Sequence, residues 1–397
     1  MSLLKLIDRK QLLVLGLNSG TSADGLDMVA LRIRRAIGGV RIKFVDGSRR
    51  KYPGEVRKSV LECADSDLMD LDRLVQLDNL LGQFYARSAA SFIKRLAGKG
   101  LKVDLIASHG QTVRHLPNKA KQSGFVLHGS LQLGSLEQIA ARTGKVVVGD
   151  FRQADIALGN EGAPITVAAM ARLFADQSKS RLIVNIGGMS NFFYLPALGE
   201  KRQILAADCG PGNSLCDLLA GILFGQEYDR NGQQACRGVV SQRLVTLLAA
   251  EPFFTAKKVS TGREEFGAEM AGRMVSFARE HRLPKADVMA TAAELTAMAI
   301  ATKIQPIIVK DHSITKLYLT GGGTHNRFFQ SRLADMFDFL RVTTVRQLGY
   351  NPDLVEAAAF AVMGESCLRG EALPTRFAGR RLQRRLPVAG KIVQPPL

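Results

Sequence analysis

The sequence lacks the motifs that define several common enzyme classes. It contains no G-x-x-x-x-G-K-[ST] phosphate-binding loop, and no G-x-G-x-x-G follows a predicted strand. G-x-S-x-G and H-E-x-x-H are also missing, so a serine hydrolase or a zinc protease has no support. A nucleotide site in this chain must therefore use a different set of residues.

Cysteine and long apolar runs are scarce as well. The five cysteines are odd in number and widely spaced, and none forms a Cys-x-x-Cys pair. This pattern argues against a disulfide framework or a zinc site and favours a reducing compartment. Charge interrupts residues 1–10 too early for a signal peptide, and no uncharged apolar run approaches the ~18 residues that span a bilayer. We expect a soluble protein of the cytoplasm, with no membrane partner.

Acidic residues are few beside basic ones. The chain has 54 Lys and Arg against 36 Asp and Glu, a net charge of +18, which attracts anions such as phosphorylated ligands or nucleic acid. Much of the excess is peripheral, including an arginine-rich tail from Arg376. Aromatic residues are rare in these basic runs, which argues against base stacking. We interpret the charge as solvated surface and expect no nucleic-acid partner.

Short apolar strands alternate with long amphipathic helices, the pattern of an α/β protein. The predicted strands are 12–17, 26–33, 41–45, 105–108, 145–150, 182–186, 191–194, 204–207 and 317–320. The predicted helices are 70–96, 136–143, 214–224 and one that begins near residue 327.

Two hairpins carry unusual turns. In Gly16-Leu-Asn-Ser-Gly-Thr-Ser-Ala-Asp-Gly-Leu-Asp27, Asp24-Gly25 alone would make a hairpin turn. The extra Ser19, Gly20, Thr21 and Ser22 are interpreted as surplus to folding and as amide and hydroxyl donors for an anion. A second hairpin turns at Gly187-Gly-Met-Ser190. Two such units predict a duplicated core with a ligand cleft between the halves.

Two later loops are rich in glycine. Asp208-Cys-Gly-Pro-Gly-Asn213 follows a strand and precedes a helix, so its amides can approach a phosphate, and Asp208 stands at a strand end where active-site groups tend to lie. An ordinary strand-to-helix connection is the alternative. Gly321-Gly-Gly323 also follows a strand and would suit a nucleobase or ribose lying against the backbone.

Three polar stretches have both functional and structural interpretations. His109, Gln111 and Arg114 follow a strand and together suggest ligand contacts. Asp150 and Arg152 close another strand, where they could equally form a surface pair. Ser260-Thr-Gly-Arg-Glu264 is either a site or simply a helix cap.

Together these motifs resemble the anhydro-N-acetylmuramic acid kinases of bacterial cell-wall recycling, members of the sugar kinase, heat-shock-70 and actin superfamily. The resemblance follows chain order through most of the sequence. Its motifs are 19–27, 108–112, 150–152, 162–164, 185–188, 208–213, 260–264, 321–323 and 356–357.

The resemblance implies an α/β fold of two duplicated actin-like (ribonuclease H-like) ATPase domains with a central cleft. Domain I is expected to span 1–150 and 355–397, and domain II 151–354. The implied reaction uses ATP to phosphorylate O6 of 1,6-anhydro-N-acetylmuramic acid while water opens the anhydro bridge. The products are N-acetylmuramate 6-phosphate and ADP. A homodimer is also implied.

The same resemblance assigns roles to residues. Asp208 is the expected base for the water, and Arg152 and Glu356 are expected to contact the sugar. The expected ATP contacts are Gly20, Thr21, Ser22, Asp24, Gly25, Asp27, Gly210, Gly212, Asn213, Gly321, Gly322 and Gly323. Mg²⁺ is expected to bridge the phosphates, but Asp24, Asp27 and Asp208 all remain open as its ligands.

The chain departs from the family pattern at three places. Asn18 stands where an apolar residue, often Met, is common, and Cys209 stands where Thr is usual, so a thiol would replace a hydroxyl beside the phosphates. In 348–353 the proline lies one position later than expected. Two other functions stay open: a non-catalytic nucleotide-binding protein of the same fold that uses its basic surface, and an ordinary kinase for a free sugar hydroxyl.

Overall fold

The computed structural model describes residues 3–36, 39–66, 68–250, 266–372 and 387–396. The chain folds as two units. The first contains Met1–Leu173 and most of the chain from Leu354 onward, and the second contains Phe174–Asp353. The second boundary lies beside the expected one, but the first falls later than residue 150. Gln153, just beyond the expected boundary, belongs to the first unit and donates from its side-chain amide to the Ser130 carbonyl of that unit at 2.8 Å.

The strands are β1 (Gln11–Ser19), β2 (Gly25–Ala36), β3 (Gly39–Lys51), β4 (Leu105–Gln122), β5 (Phe125–Leu133), β6 (Val146–Gly149), β7 (Arg181–Ile186), β8 (Met189–Leu195), β9 (Leu205–Pro211), β10 (Lys316–Thr320), β11 (Arg341–Thr344) and β12 (Lys391–Val393). The strands β1–β5 of the first unit are long, whereas β6, β12 and the strands of the second unit are short.

The part of the chain that the structure describes also forms twelve α-helices. In the described residues they are α1 (Leu3–Ile7), α2 (Gly54–Asp65), α3 (Leu71–Ala97), α4 (Leu136–Thr143), α5 (Gln153–Ala157), α6 (Val167–Phe174), α7 (Asn213–Phe224), α8 (Gln242–Ala249), α9 (Ala268–Glu280), α10 (Lys285–Lys310), α11 (Arg327–Met336) and α12 (Val355–Leu368).

Five strands follow the same order in both sheets, and β12 adds an edge strand to the first. In the first unit the order is β12-β6-β4-β1-β2-β3, with β5 paired to β4, and in the second it is β11-β10-β7-β8-β9. Each begins with a three-stranded antiparallel meander, whose first strand then pairs in parallel with a later strand, β4 or β10. The predicted duplicated, actin-like α/β fold is confirmed.

Local sequence explains where the long helices lie. Asp70 caps α3, because its side chain accepts a hydrogen bond from the Arg73 amide. Leu77, Leu81 and Tyr85 then recur at helical spacing and are buried against the sheet. Burial of this apolar face positions the strand ends that carry the polar turns of the first unit.

Helix α10 is long and apolar enough to cross a membrane by length and composition, although charged residues such as Glu294 and Lys303 interrupt its apolar sequence. In the structure it serves as a core helix. Its buried side chains include Val288, Ile300 and Ile304, which belong to the apolar core of the second unit.

Candidate active site

The turn between β1 and β2 is a tight loop that internal hydrogen bonds hold closed. The Ala23 amide donates to the Gly20 carbonyl at 3.1 Å. Ser19 Oγ lies within hydrogen-bond distance of two acceptors, the Gly25 carbonyl at 2.9 Å and Gln111 Oε1 at 2.6 Å, and donates its one proton to either of them. The expectation that Ser19 is surplus to folding is therefore wrong, because its buried hydroxyl holds the turn closed. Gln111 likewise supports the turn, since its amide also donates to the Gly20 carbonyl.

Thr21 and Ser22 differ from Ser19 in lying at the exposed tip of this turn. The turn between β1 and β2 thus has a buried part, at Ser19, and an exposed tip of small polar residues, at Thr21 and Ser22. An exposed, backbone-rich tip of this kind can present amides and hydroxyls to an anion. That part of the expected phosphate site stays a prediction consistent with the fold.

Two carboxylates of the motif have different surroundings. Asp27 on β2 is buried, and Arg49 on β3 donates to both of its oxygens, at 2.6 and 3.0 Å. Such a bidentate pair occupies the carboxylate, which argues against Asp27 as a metal ligand. Asp24 is half-exposed and 3.5 Å from Arg57 Nη2, a looser contact. Of the two carboxylates, Asp24 has the more accessible oxygens.

Glu356 opens the first turn of α12 and is exposed. Asn18 on β1 donates a hydrogen bond from Nδ2 to Glu356 Oε2 at 3.0 Å. The residue that departs from the family pattern therefore contacts a residue expected to bind the sugar. Sequence reasoning named both residues but gave no signal that they touch.

Arg152 lies close to the same region of the first unit. Its Nη1 donates to the Gly162 carbonyl at 2.8 Å, and its Nη2 lies 3.4 Å from Nε2 of His109. Burial lowers the pKa of the Arg152 guanidinium to about 10, and the charge of Glu356 opposes that shift. Arg152 thus stays cationic at neutral pH, as recognition of an anionic group requires. It does not pair with Asp150, whose carboxylate contacts Lys391 at 2.5 Å.

His109 is built into the core rather than exposed to solvent. Its ring stacks on Phe360 with centroids 4.2 Å apart and planes 7° from parallel. Burial, with the Arg152 charge in the same direction, lowers the pKa of His109 well below its usual value. A neutral imidazole accepts a hydrogen bond from Arg152 and so orients the guanidinium. Arg114 contributes differently from the expected ligand contact, because its Nη2 donates to the Ser66 carbonyl.

In the second unit the two glycine turns are joined to each other. The Gly212 amide donates to the Gly188 carbonyl at 3.0 Å, and the Asn213 amide donates to the Gly187 carbonyl at 2.8 Å. These amides, expected to face a phosphate, are used inside the protein. A Cβ on Gly212 would lie 2.3 Å from the Gly187 oxygen, so this glycine is required for the close approach of the loops. Gly210, on β9, accepts at its carbonyl from Ser190 Oγ.

The Gly321–Gly323 loop packs against the end of β7, just before the Gly187–Ser190 turn. Gly321 has φ +84°, and a Cβ there would lie 2.5 Å from Asn185 Oδ1. A Cβ on Gly323 would lie 2.3 Å from the Ile186 side chain. Gly322 differs, because it is exposed and the nearest neighbour of its would-be Cβ is Asn213 Nδ2 at 3.8 Å. Of the three glycines, Gly322 is the one with space for a ligand.

Pro352, the proline that lies one position later than expected in 348–353, supports the Gly321–Gly323 loop. The Pro352 carbonyl accepts from the Gly321 amide at 3.0 Å and from Thr320 Oγ1 at 2.7 Å. The departure in this loop thus lies beside Gly321 and fixes the end of β10.

Asp208 is half-buried on β9, directly opposite Asn191 on β8. Asn191 in turn lies opposite Asn185 on β7. Directly opposed residues share one face of a sheet, so a polar row crosses three strands toward Gly321. Sequence reasoning missed Asn191, which appeared only as part of an apolar strand. Its position in the row becomes visible once the strand register is known.

Cys209 lies elsewhere than the sequence suggests. Its side chain is fully buried in the apolar core of the second unit. Burial raises the pKa of the Cys209 thiol, and the neighbouring Asp208 carboxylate acts in the same direction. Cys209 is thus enclosed in the core of the second unit, where its thiol is closed to a ligand at the surface. The expected substitution of a thiol for a hydroxyl beside the phosphates is therefore wrong.

Two expectations lie outside the described residues, namely Ser260–Glu264 and the arginine-rich tail from Arg376. Within the described part of the chain, no group of three or more His, Cys, Asp or Glu side chains could hold a metal ion. The donor set fits a magnesium ion held mainly by phosphate oxygens and water, with one carboxylate such as Asp24, rather than an all-protein cage.

Two sheets with the same order of five strands, each with a small-residue turn in its first hairpin, define the class of this protein as a duplicated α/β fold. The family model for anhydro-N-acetylmuramic acid kinase matches residues 12–382. The chain therefore belongs to the anhydro-N-acetylmuramic acid kinase family.

Two relatives of that family agree with this assignment. The anhydro-N-acetylmuramic acid kinase of Caldanaerobacter subterraneus subsp. tengcongensis is 32% identical, over 93% of this chain and 94% of that protein. The enzyme of the same name from Crocosphaera subtropica is 36% identical, over 88% and 90%. A solved structure, the activator of the 2-hydroxyisocaproyl-CoA dehydratase from Clostridium difficile with bound ADPNP, is similar over 90% of this chain and 96% of that one, with 12% identity and a TM-score of 0.43.

Proposed function

We propose that this protein is a cytoplasmic, ATP-dependent kinase that opens 1,6-anhydro-N-acetylmuramic acid with water and phosphorylates O6, in recycling of the bacterial cell wall. Family membership over nearly the whole chain supports the kinase activity. The observation that carries the site is the Asp208 carboxylate at the end of a polar row beside two glycine-rich turns. The products are N-acetylmuramate 6-phosphate and ADP.

The proposed reaction forms two bonds between heavy atoms and breaks two. Asp208 accepts a proton from water, whose oxygen forms a bond to C1 of the sugar as the bond from C1 to O6 breaks. The released O6 forms a bond to the γ-phosphorus of ATP, and the bond from that phosphorus to the β-phosphate oxygen breaks to release ADP. The proton on Asp208 then passes to solvent. A positioned base of this kind typically contributes on the order of 10²–10⁴-fold in rate.

Residues of the first unit bind the sugar and the phosphates. Arg152 is suited to the lactyl carboxylate of muramate, because its planar fork can meet both oxygens. Glu356 accepts a hydrogen bond from a sugar hydroxyl. The exposed turn tip at Gly20, Thr21 and Ser22 donates to phosphate oxygens.

Residues of the second unit contact the nucleotide at fewer points than the sequence suggests. Gly322 is the exposed member of its loop, so it contacts the adenosine, while Gly321 and Gly323 shape the backbone around it. Gly212 and Asn213 hold the two turns together rather than donating their amides to a phosphate. Magnesium, when bound, neutralises charge on the phosphates, with Asp24 as the candidate carboxylate. We also propose a homodimer, as family resemblance implies.

The direct test compares acceptors. Purified protein with ATP and magnesium is given the 1,6-anhydro sugar, N-acetylmuramic acid with a free O6 hydroxyl, or no sugar. We expect ADP release with the anhydro sugar far above that with the open one. Equal or greater activity on the open sugar would identify an ordinary sugar kinase. No sugar-dependent ADP release, together with tight and steeply salt-dependent RNA binding, would favour a non-catalytic protein.

A further inference from the structure

Asn18 joins the sheet of the first unit to the start of α12. Its side chain is 3% exposed, whereas Glu356, which accepts its hydrogen bond, is exposed to solvent. A buried amide donor on a central strand thus holds one oxygen of a surface carboxylate. If Glu356 turned away, the Asn18 amide would lose this hydrogen bond, so the bond favours the observed rotamer of the carboxylate.

Backbone packing fixes the distance between the two residues. A Cβ on Gly16 would lie 2.0 Å from the Ala357 oxygen and 2.9 Å from the Ala361 nitrogen, so β1 lies directly against α12. Side chains two apart on a strand share a face, which directs Asn18 toward the same helix. Glu356 immediately precedes Ala357, so the hydrogen bond belongs to a close and rigid contact.

The charge of the donor matters as much as its position. Asn18 is neutral, so it orients the Glu356 carboxylate without cancelling its charge. That charge still acts on Arg152, where it opposes the effect of burial. An arginine or lysine at residue 18 would instead form an ion pair and compete with Arg152 for the carboxylate.

We infer that Asn18 is a positioning residue that fixes the Glu356 carboxylate for the sugar and thereby contributes to sugar selectivity. The inference rests on the proposed function, because it needs Glu356 to contact the sugar. An apolar side chain at residue 18 removes one hydrogen bond that orients the carboxylate, so the enzyme must order it more fully when the sugar binds. The loss appears in the KM for the sugar and leaves the KM for ATP unchanged.

The test uses Asn18→Met, Asn18→Asp, Glu356→Gln and the double variant Asn18→Met with Glu356→Gln. Asn18→Asp keeps the size of the side chain but replaces the donor with a like charge. Leu17→Met is the matched control, because it places the same methionine one residue away on β1, in the apolar core. Thermal unfolding verifies that each variant is folded.

We expect Asn18→Met to raise the KM for the anhydro sugar about tenfold, with the KM for ATP within about twofold of wild type. Asn18→Asp should raise the KM for the anhydro sugar further, and Leu17→Met should have the KM values of wild type. In the Glu356→Gln background Asn18→Met should add little, because its effect passes through the carboxylate. Full additivity, or equal changes in both KM values, would overturn the inference.

The outcomes separate the two proposals. Wild-type protein that neither binds nor phosphorylates the anhydro sugar would show that the proposed function is wrong, and the role of Asn18 would fall with it. An active wild type whose Asn18→Met variant behaves like Leu17→Met would contradict the role of Asn18 alone.

Discussion

Asp208 and Asn191 lie directly opposite each other on β9 and β8, next to an irregularity at which Cys209 has no partner on β8. The extra residue re-aims the end of β9, a common use of a bulge beside active sites. It leaves Asp208 on the polar face of the sheet and Cys209 in the core. The base candidate is therefore held by strand pairing rather than by a mobile loop.

Asp208→Asn tests this residue as the base. The amide keeps the size of the side chain but cannot accept the proton from water, so kcat should fall by about 10²–10⁴-fold or more. Nucleotide affinity, measured by calorimetry with a non-hydrolysable ATP analogue, should stay within about threefold of wild type.

Asp335→Asn is the matched control, because Asp335 is an exposed carboxylate of the same unit on α11. It should behave as wild type in both assays. Retained phosphorylation of the anhydro sugar by Asp208→Asn would remove Asp208 as the base.

Gly321→Ala and Gly322→Ala separate folding from binding within one loop. Gly321 has a positive φ and no room for a Cβ, so alanine should cost about 1–3 kcal/mol of stability. Gly322→Ala meets no close atom, so Tm should barely change while ATP binds less tightly. Differential scanning calorimetry and ATP titration measure the two effects. Equal loss of stability in both variants would contradict the assigned geometry.

The apolar strands were predictable because burial on both faces leaves continuous apolar runs such as Leu182–Val184. The extension of β4 and the strand β5 were not, because Phe125, Val126 and Leu127 are exposed and the segment lacks a clear alternation. Pairing with β4 stabilises it, and pairing partners are not written in a local pattern.

The site shows the same limit. Glycine-rich loops were correctly identified as special, but composition does not tell whether an amide faces a ligand or another loop. The Asn213 amide donates to Gly187, and the Asn18 side chain reaches Glu356, 338 residues away in the chain. Such contacts follow from the topology of the whole sheet, so only the structure reveals them. The predicted convergence of both glycine-lined turns on one triphosphate stays a prediction.

The pair of Asp27 and Arg49 should stabilise the first hairpin rather than hold magnesium. Asp27→Asn and Arg49→Gln should each lower the free energy of unfolding. A double-mutant cycle should give a coupling energy of about 1–2 kcal/mol, reduced by the exposure of Arg49. The magnesium concentration for half-maximal activity should not change with Arg49→Gln. A large shift in that concentration with unchanged Tm would instead place Asp27 at the metal.

Stability should depend on pH through His115. Burial, helped by the Arg152 charge and opposed by Glu161, lowers the pKa of His115 to about 4. The unfolded chain takes up a proton at higher pH than the folded one. The contribution of His115 to the free energy of unfolding is therefore fully present above about pH 6.5. It falls by about 1–3 kcal/mol, a value reduced by the partial exposure of the ring, as pH approaches 4.

His115→Gln should make the fall of Tm between pH 6.5 and 4 shallower. The exposed His312→Gln controls for the loss of one histidine. Parallel Tm curves for wild type and His115→Gln across this range would contradict the assignment.

Mass spectrometry of the product formed in oxygen-18 water tests the central claim most directly. The protein is given ATP, magnesium and 1,6-anhydro-N-acetylmuramic acid, and the reaction is stopped before the anomeric oxygen exchanges with solvent. If the water activated by Asp208 opens the bridge, the sugar phosphate carries one heavy oxygen at C1 and none in its phosphate ester. A phosphorylated product with the anhydro bridge intact, or with the label in the phosphate, would contradict the account.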